Sequence, residues 1–324
     1  MTIRSIAVAT CAAAGLLAAF PASAACSLKT QPIPVTMTGA VPAISNGLPM
    51  VNVKVNGKPA HFLLDSGSAV NQISAKFAAA QKLSSTKASD KTPAIVTAPK
   101  FEFAGAVLSD VPFVSSDAVA GDADGVIGQT VLRQGDVEYD LPDGKVVLAK
   151  AEGCEGANMA YWVKEGQSYG EMPLEPLDKT APFTRSEIII NGVKLRAMLM
   201  SGTAYTVVTE KAAAKAGLKT TDAKVTLLSG ADGKSAKIWL GAFSSVQIGA
   251  DDLKNVSLEI GETKDESYDV LIGDDYLASH RLYVANSQGK IYATSAGFPG
   301  APVFMHKPNA SAAIDASLGK TRGF

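Results

Sequence analysis

Apolar and polar residues alternate along much of this chain with the period of two that half-buried β-strands require. Val51-Asn52-Val53-Lys54-Val55 is the clearest case, and it stops at Asn56-Gly57. Both residues of that dipeptide tolerate positive φ, so a two-residue hairpin turn is predicted there. The apolar run His61 to Leu64 then enters as a strand and stops at the small, turn-forming Asp65-Ser66-Gly67. Ser74 to Leu83 is rich in Ala and predicts a short helix. Further short strands are expected at Lys100–Phe103 and Val137–Tyr139. Later in the chain the order recurs: a strand at Glu187–Ile190, a turn at Asn191-Gly192, a strand at Ala197–Leu199. The pattern predicts an all-β chain, rich in strands with short helices.

That recurrence is an internal repeat. The segment from Asn56 through Ala69 matches the segment from Asn191 through Ala204, and the match runs on without a gap to Leu83 and Leu218. A second block, Val126-Ile127-Gly128-Gln129-Thr130-Val131-Leu132, matches Leu271-Ile272-Gly273-Asp274-Asp275-Tyr276-Leu277. Gly144-Lys145-Val146 likewise matches Gly289-Lys290-Ile291. Two blocks kept in order describe a duplicated unit, with a longer gap between the blocks in the second copy. The copies span 25–150 and 177–300, joined by a linker at 151–176 that is rich in Gly and Glu, with a loose tail at 301–324.

Composition narrows the function. The 324 residues are 47% hydrophobic, enough for a sizeable core, and the formal charge is −1. Without a basic cluster, nucleic acid is not expected as a partner. Residues 1–24 read as a secretory signal: Arg4, an Ala/Leu-rich run to Phe20, Pro21, then Ala22-Ser23-Ala24. A membrane anchor is the competing reading, and cleavage before Cys26 as a lipoprotein lacks the expected Leu at position 23. No later segment is suited to span a membrane, so export to the periplasm or beyond is expected. Cys11 would leave with the signal; Cys26 and Cys154 then remain as a pair suited to a disulfide in an oxidising compartment.

The strand Phe62-Leu63-Leu64 running into Asp65-Ser66-Gly67-Ser68, with Gly125-Val126-Ile127-Gly128 later in the same copy, resembles the aspartic peptidases. Each copy resembles a retropepsin-like lobe, fused in tandem into a pepsin-like bilobal chain. The resemblance extends from about residue 35 to 298. It implies a cleft that takes an extended peptide, hydrolysis without cofactor, and two Asp side chains sharing one proton and one water. It further implies that Gly67 and Gly202 let the two loops approach closely, and that Ser68 and Thr203 hydrogen-bond across to the opposite loop.

The second copy departs from this at one position: Met200 stands where its Asp belongs, while Ser201, Gly202 and Thr203 are kept. A thioether neither ionises nor donates a proton. Burial beside it should also raise the pKa of Asp65. Three readings are open. The chain binds peptides without cutting them; or Asp274 or Asp275 supplies a substitute carboxylate; or lobes of two chains pair two copies of Asp65. A purely architectural Asp65, capping its own turn, is the bland alternative.

Ser229 to Lys234, with Gly230, Asp232 and Gly233, is a candidate flap over the cleft or an ordinary hairpin turn. Asp122-Ala123-Asp124-Gly125 lacks the Glu that closes a calcium loop. The histidines His61, His280 and His306 are scattered, so no metal site is expected. Oligomeric state is not read from the sequence.

Overall fold

The computed structural model describes residues 26–38, 47–87, 89, 92–117, 119, 123–178, 180–220, 224–229, 235–263 and 265–295. The signal segment, the tail and the candidate flap residues Gly230, Asp232 and Gly233 lie outside the described residues. No helix among those described is long and apolar enough to cross a membrane.

Each copy folds into a closed six-stranded β-barrel, and the two follow the same plan. In the first, Leu48–Val55 turns at Asn56 and Gly57 (φ 52° and 79°) into Lys58–Leu64. In the second, Arg185–Ile190 turns at Asn191 and Gly192 (φ 50° and 79°) into Val193–Leu199. These positive φ values are what the Asn-Gly pairs supply without strain. The Asn side chains do a second job: Asn56 Oδ1 accepts Lys100 N at 3.1 Å, and Asn191 Oδ1 accepts Ser245 N at 3.1 Å.

The late blocks pair in parallel with the strands that carry Asp65 and Met200. Leu64 aligns with Ile127, and Leu199 with Ile272, so the buried block of each copy lies alongside its loop. Ile127 O accepts Asp65 N and Ile272 O accepts Met200 N, both at 2.9 Å. The predicted helix forms at Ala75–Ala80 and has a counterpart at Glu210–Lys215, capped by the Ser74 and Thr209 hydroxyls respectively. Asp124 and Asp269 are a further repeated device: each carboxylate accepts a backbone N–H, of His61 at 3.0 Å and Arg196 at 3.1 Å. Asp124 thereby anchors the start of the strand Gly125–Ile127.

Outside the barrels, the two copies share a further sheet to which both contribute. Asp136–Asp140 of the first copy pairs antiparallel with His280–Ala285 of the second, and Lys145–Glu152 and Lys290–Ser295 flank them. Ser27–Thr38 extends one side and continues onto Leu48–Val55 of the first barrel. The segment 151–176 joins the copies, covers this platform with Cys154, Met159, Ala160 and Trp162, and adds the edge strand Gly170–Pro173. Cys26 and Cys154 form a disulfide at the start of that cover. On the platform's inner side Val137, Tyr139, Leu282 and Val284 join the main core.

Candidate active site

Asp65 and Met200 leave the ends of equivalent strands and enter loops that meet between the barrels. Both are buried. The meeting is close enough to forbid a side chain at either glycine. A Cβ on Gly67 would lie 2.5 Å from Met200 Cγ, and one on Gly202 would lie 2.5 and 2.6 Å from the Asp65 carboxyl oxygens. Gly67 and Gly202 are thus required by the approach of the two loops.

The loops are tied to each other by the serines that directly follow Asp65 and Met200. Ser66 Oγ donates to Leu199 O at 2.8 Å and accepts from Ser201 N at 3.0 Å. Reciprocally, Ser201 Oγ donates to Leu64 O at 2.8 Å and accepts from Ser66 N at 3.1 Å. This corrects the expectation that Ser68 and Thr203 bond across. Ser68 Oγ donates to Val70 O in its own loop at 2.8 Å, and Thr203 bonds through its backbone carbonyl, which accepts Asp274 N of its own lobe at 2.8 Å. The reason is position: residues 66 and 201 face each other along the loop contact, whereas 68 and 203 lie past the turn. The repeat held the signal, since both copies place Ser at this position.

Burial pushes the Asp65 carboxyl up to about 6, against the N–H groups of Gly67 and Gly202, which favour its ionised form. Gly67 N donates to Asp65 Oδ1 at 2.7 Å. Facing it, Met200 packs with Met198, Val207, Tyr268 and Leu271. At the place of the second acid stands an apolar cluster of the second barrel.

The two substitute candidates have different surroundings. Asp275 is occupied: its oxygens accept Thr206 N at 3.0 Å, Thr206 Oγ1 at 2.7 Å and Tyr276 N at 3.0 Å. Burial raises it to about 7 despite these bonds. Asp274 is fully buried, and neither of its carboxyl oxygens has a partner among the described residues. Burial, then the charges of Asp275 and Asp65, raises its pKa well above the carboxylate range. Its counterpart Gln129 donates Nε2 to Ser66 O at 2.6 Å from beneath the first loop. Among the described residues no group of His, Cys, Asp and Glu is arranged to hold a metal ion.

These two facing loops, each on a barrel of the same plan, define an acid-protease architecture. A family model described as aspartyl protease matches residues 51–131, and one for the aspartyl protease of gag polyproteins matches residues 186–279. A search of curated proteins finds no match. Each lobe carries an aspartyl protease domain, and the chain belongs to the aspartic-peptidase family as a tandem, two-lobed member.

Proposed function

We propose that this is an exported peptide-binding protein of the aspartic-peptidase family, with peptide hydrolysis weakened or lost. One observation carries the reading: the side chain facing Asp65 from the second loop is the thioether of Met200, packed among apolar residues. Asp65 with a pKa of about 6 is able to take a proton from water. No acid opposite it then polarises the scissile carbonyl, and the dyad mechanism needs both acts at once. The cleft between the lobes would hold an extended chain chiefly through backbone hydrogen bonds. Export is supported by the N-terminal pattern of residues 1–24 and fits the Cys26–Cys154 disulfide.

Asp274 favours a second reading, in which some hydrolysis persists. It is a buried carboxyl with unpartnered oxygens that senses the Asp65 charge. Asp275 is less suited, because Thr206 and Tyr276 already occupy its oxygens. Pairing of two chains is disfavoured by the reciprocal Ser66 and Ser201 bonds, which it would break.

Fluorogenic peptide mixtures, assayed from acid to neutral pH, separate these readings. Wild type and Asp65→Asn are expected to be equally inactive, and Met200→Asp to gain acid-dependent cleavage. Wild-type cleavage that disappears in Asp65→Asn would sink the non-hydrolytic reading, and its loss in Asp274→Asn would favour the substitute carboxylate. Export is checked by the N-terminus of the cell-processed protein, expected near Ala25.

A further inference from the structure

Two arginines next to the loop pair have no carboxylate partner among the described residues. Arg133 closes the helix Gln129–Leu132 of the first lobe. From there its Nη1 reaches into the second lobe, donating to Phe183 O at 2.9 Å and Pro182 O at 3.4 Å. Arg185 begins the strand Arg185–Ile190 and is only 6% exposed. Its guanidinium lies 5.4 Å from the centre of the Phe183 ring, and its Nε is buried with no acceptor among the described residues. Phe183 is therefore held by its carbonyl on one arginine and by its ring on the other.

Among the described residues neither guanidinium has a carboxylate within ion-pairing distance. Burial first, and then the Arg185 charge, lowers the pKa of Arg133, so the two cations repel at short range. Asp178 feels Arg185 weakly, but its carboxylate is exposed and already accepts Thr180 N and Oγ1. A buried cation without a partner is costly. The duplicated positions carry Ala278 and Met50, so the barrel plan itself demands no cation at either place. A planar guanidinium fork matches a carboxylate in shape and charge.

The pair also adjoins the candidate site. Phe183 packs on the Met198 and Met200 cluster, and Thr184 O accepts Leu199 N at 3.0 Å, one residue before Met200. The buried Tyr139 senses both Arg133 and Asp65.

We propose that Arg133 and Arg185, braced on Phe183, bind a carboxylate of the peptide held between the lobes, either an acidic side chain or a free C-terminus. This rests on the peptide-binding reading above and names the class of peptide: acidic. Where the two copies of the unit are otherwise alike, this pair would give the groove a direction.

Calorimetric titration tests it on the mature, disulfide-bonded protein. The probes are apolar hexapeptides of one sequence with a free C-terminal carboxylate, with an internal Glu and an amidated end, or with neither; succinate is titrated alone. At least one acidic peptide is expected to bind about tenfold or more tighter than the neutral one. That advantage is expected to vanish in Arg133→Gln and in Arg185→Met. Arg133 is only partly buried, so its variant keeps the test open should Arg185→Met fail to fold. Equal binding of neutral and acidic peptides would overturn the arginine site and leave the groove reading intact. Arginine-dependent binding of succinate with no peptide bound would overturn the groove reading and the peptide source. Absence of binding by every probe would overturn both.

Discussion

Asp65 shows what a single side chain contributes when its partner is missing. In a paired site, part of the pressure on one acid comes from the charge of the other. Here burial is the largest cause, and it lifts the group from 3.8 to about 6. The folded chain therefore holds this proton more tightly than the unfolded chain does. The resulting stability is complete below about pH 4 and is lost as pH rises through about 6. The loss amounts to at most about 3 kcal/mol for a shift of this size. Asp65→Asn keeps a neutral group in the same space and removes the titration. Thermal unfolding of both forms at several pH values should show the variant gaining on wild type between pH 4 and 6.5. A constant difference across that window would mean that Asp65 is better solvated than its burial indicates. Met200 was legible in the sequence by alignment of the copies, and so was the rise of the Asp65 pKa beside it. Arg133 and Arg185 were not, because 52 residues separate them and neither belongs to a recurring block.

At the scale of elements, the repeat made most of each barrel legible. Period-two alternation, the Asn-Gly turns and the Ala-rich helix are local signals, and local signals survive in a single sequence. Strand partners are a different matter. The pairing of Asp136–Asp140 with His280–Ala285 joins positions about 145 residues apart, and no local pattern specifies it. The loop contact lay between these cases: its serines are in the motif, but which serine crosses depends on how the two loops face. The reciprocal bonds of Ser66 and Ser201 predict strong coupling. Ser66→Ala removes a donor to Leu199 O and strands the buried Ser201 N–H, and Ser201→Ala does the converse. Each should cost about 1–3 kcal/mol in urea unfolding. The double variant should cost clearly less than the sum, because either change alone dissolves the shared network. Additive losses would show that the four bonds act independently and that the loops are held by packing alone.

For the whole molecule, the two lobes are joined by more than a connecting segment. The platform takes its central strands from both copies, so neither copy forms this sheet without the other. Its outer side carries Asp136, Glu138 and Asp140 in alternation, and Arg281 pairs with Glu138 at 2.6 Å from the opposite copy. The N-terminal strand Ser27–Thr38 binds this platform to the first barrel, pairing with Lys145–Glu152 and then with Leu48–Val55. The Cys26–Cys154 disulfide fixes the outer end of that strand, beside the Ser27 and Glu152 pair, and spans 128 residues of sequence. Its main effect should be on the unfolded chain, where closing so long a loop removes many conformations. The strand register on either side has its own backbone bonds, so the native arrangement does not require the bridge. Replacing both cysteines by serine should therefore lower unfolding stability by about 2–5 kcal/mol while far-UV circular dichroism stays that of the wild type. A urea midpoint unmoved by the double replacement, or by reductant on the wild type, would mean that the N-terminal strand is already confined in the unfolded chain. The bridge would then contribute nothing to holding the platform against the first barrel.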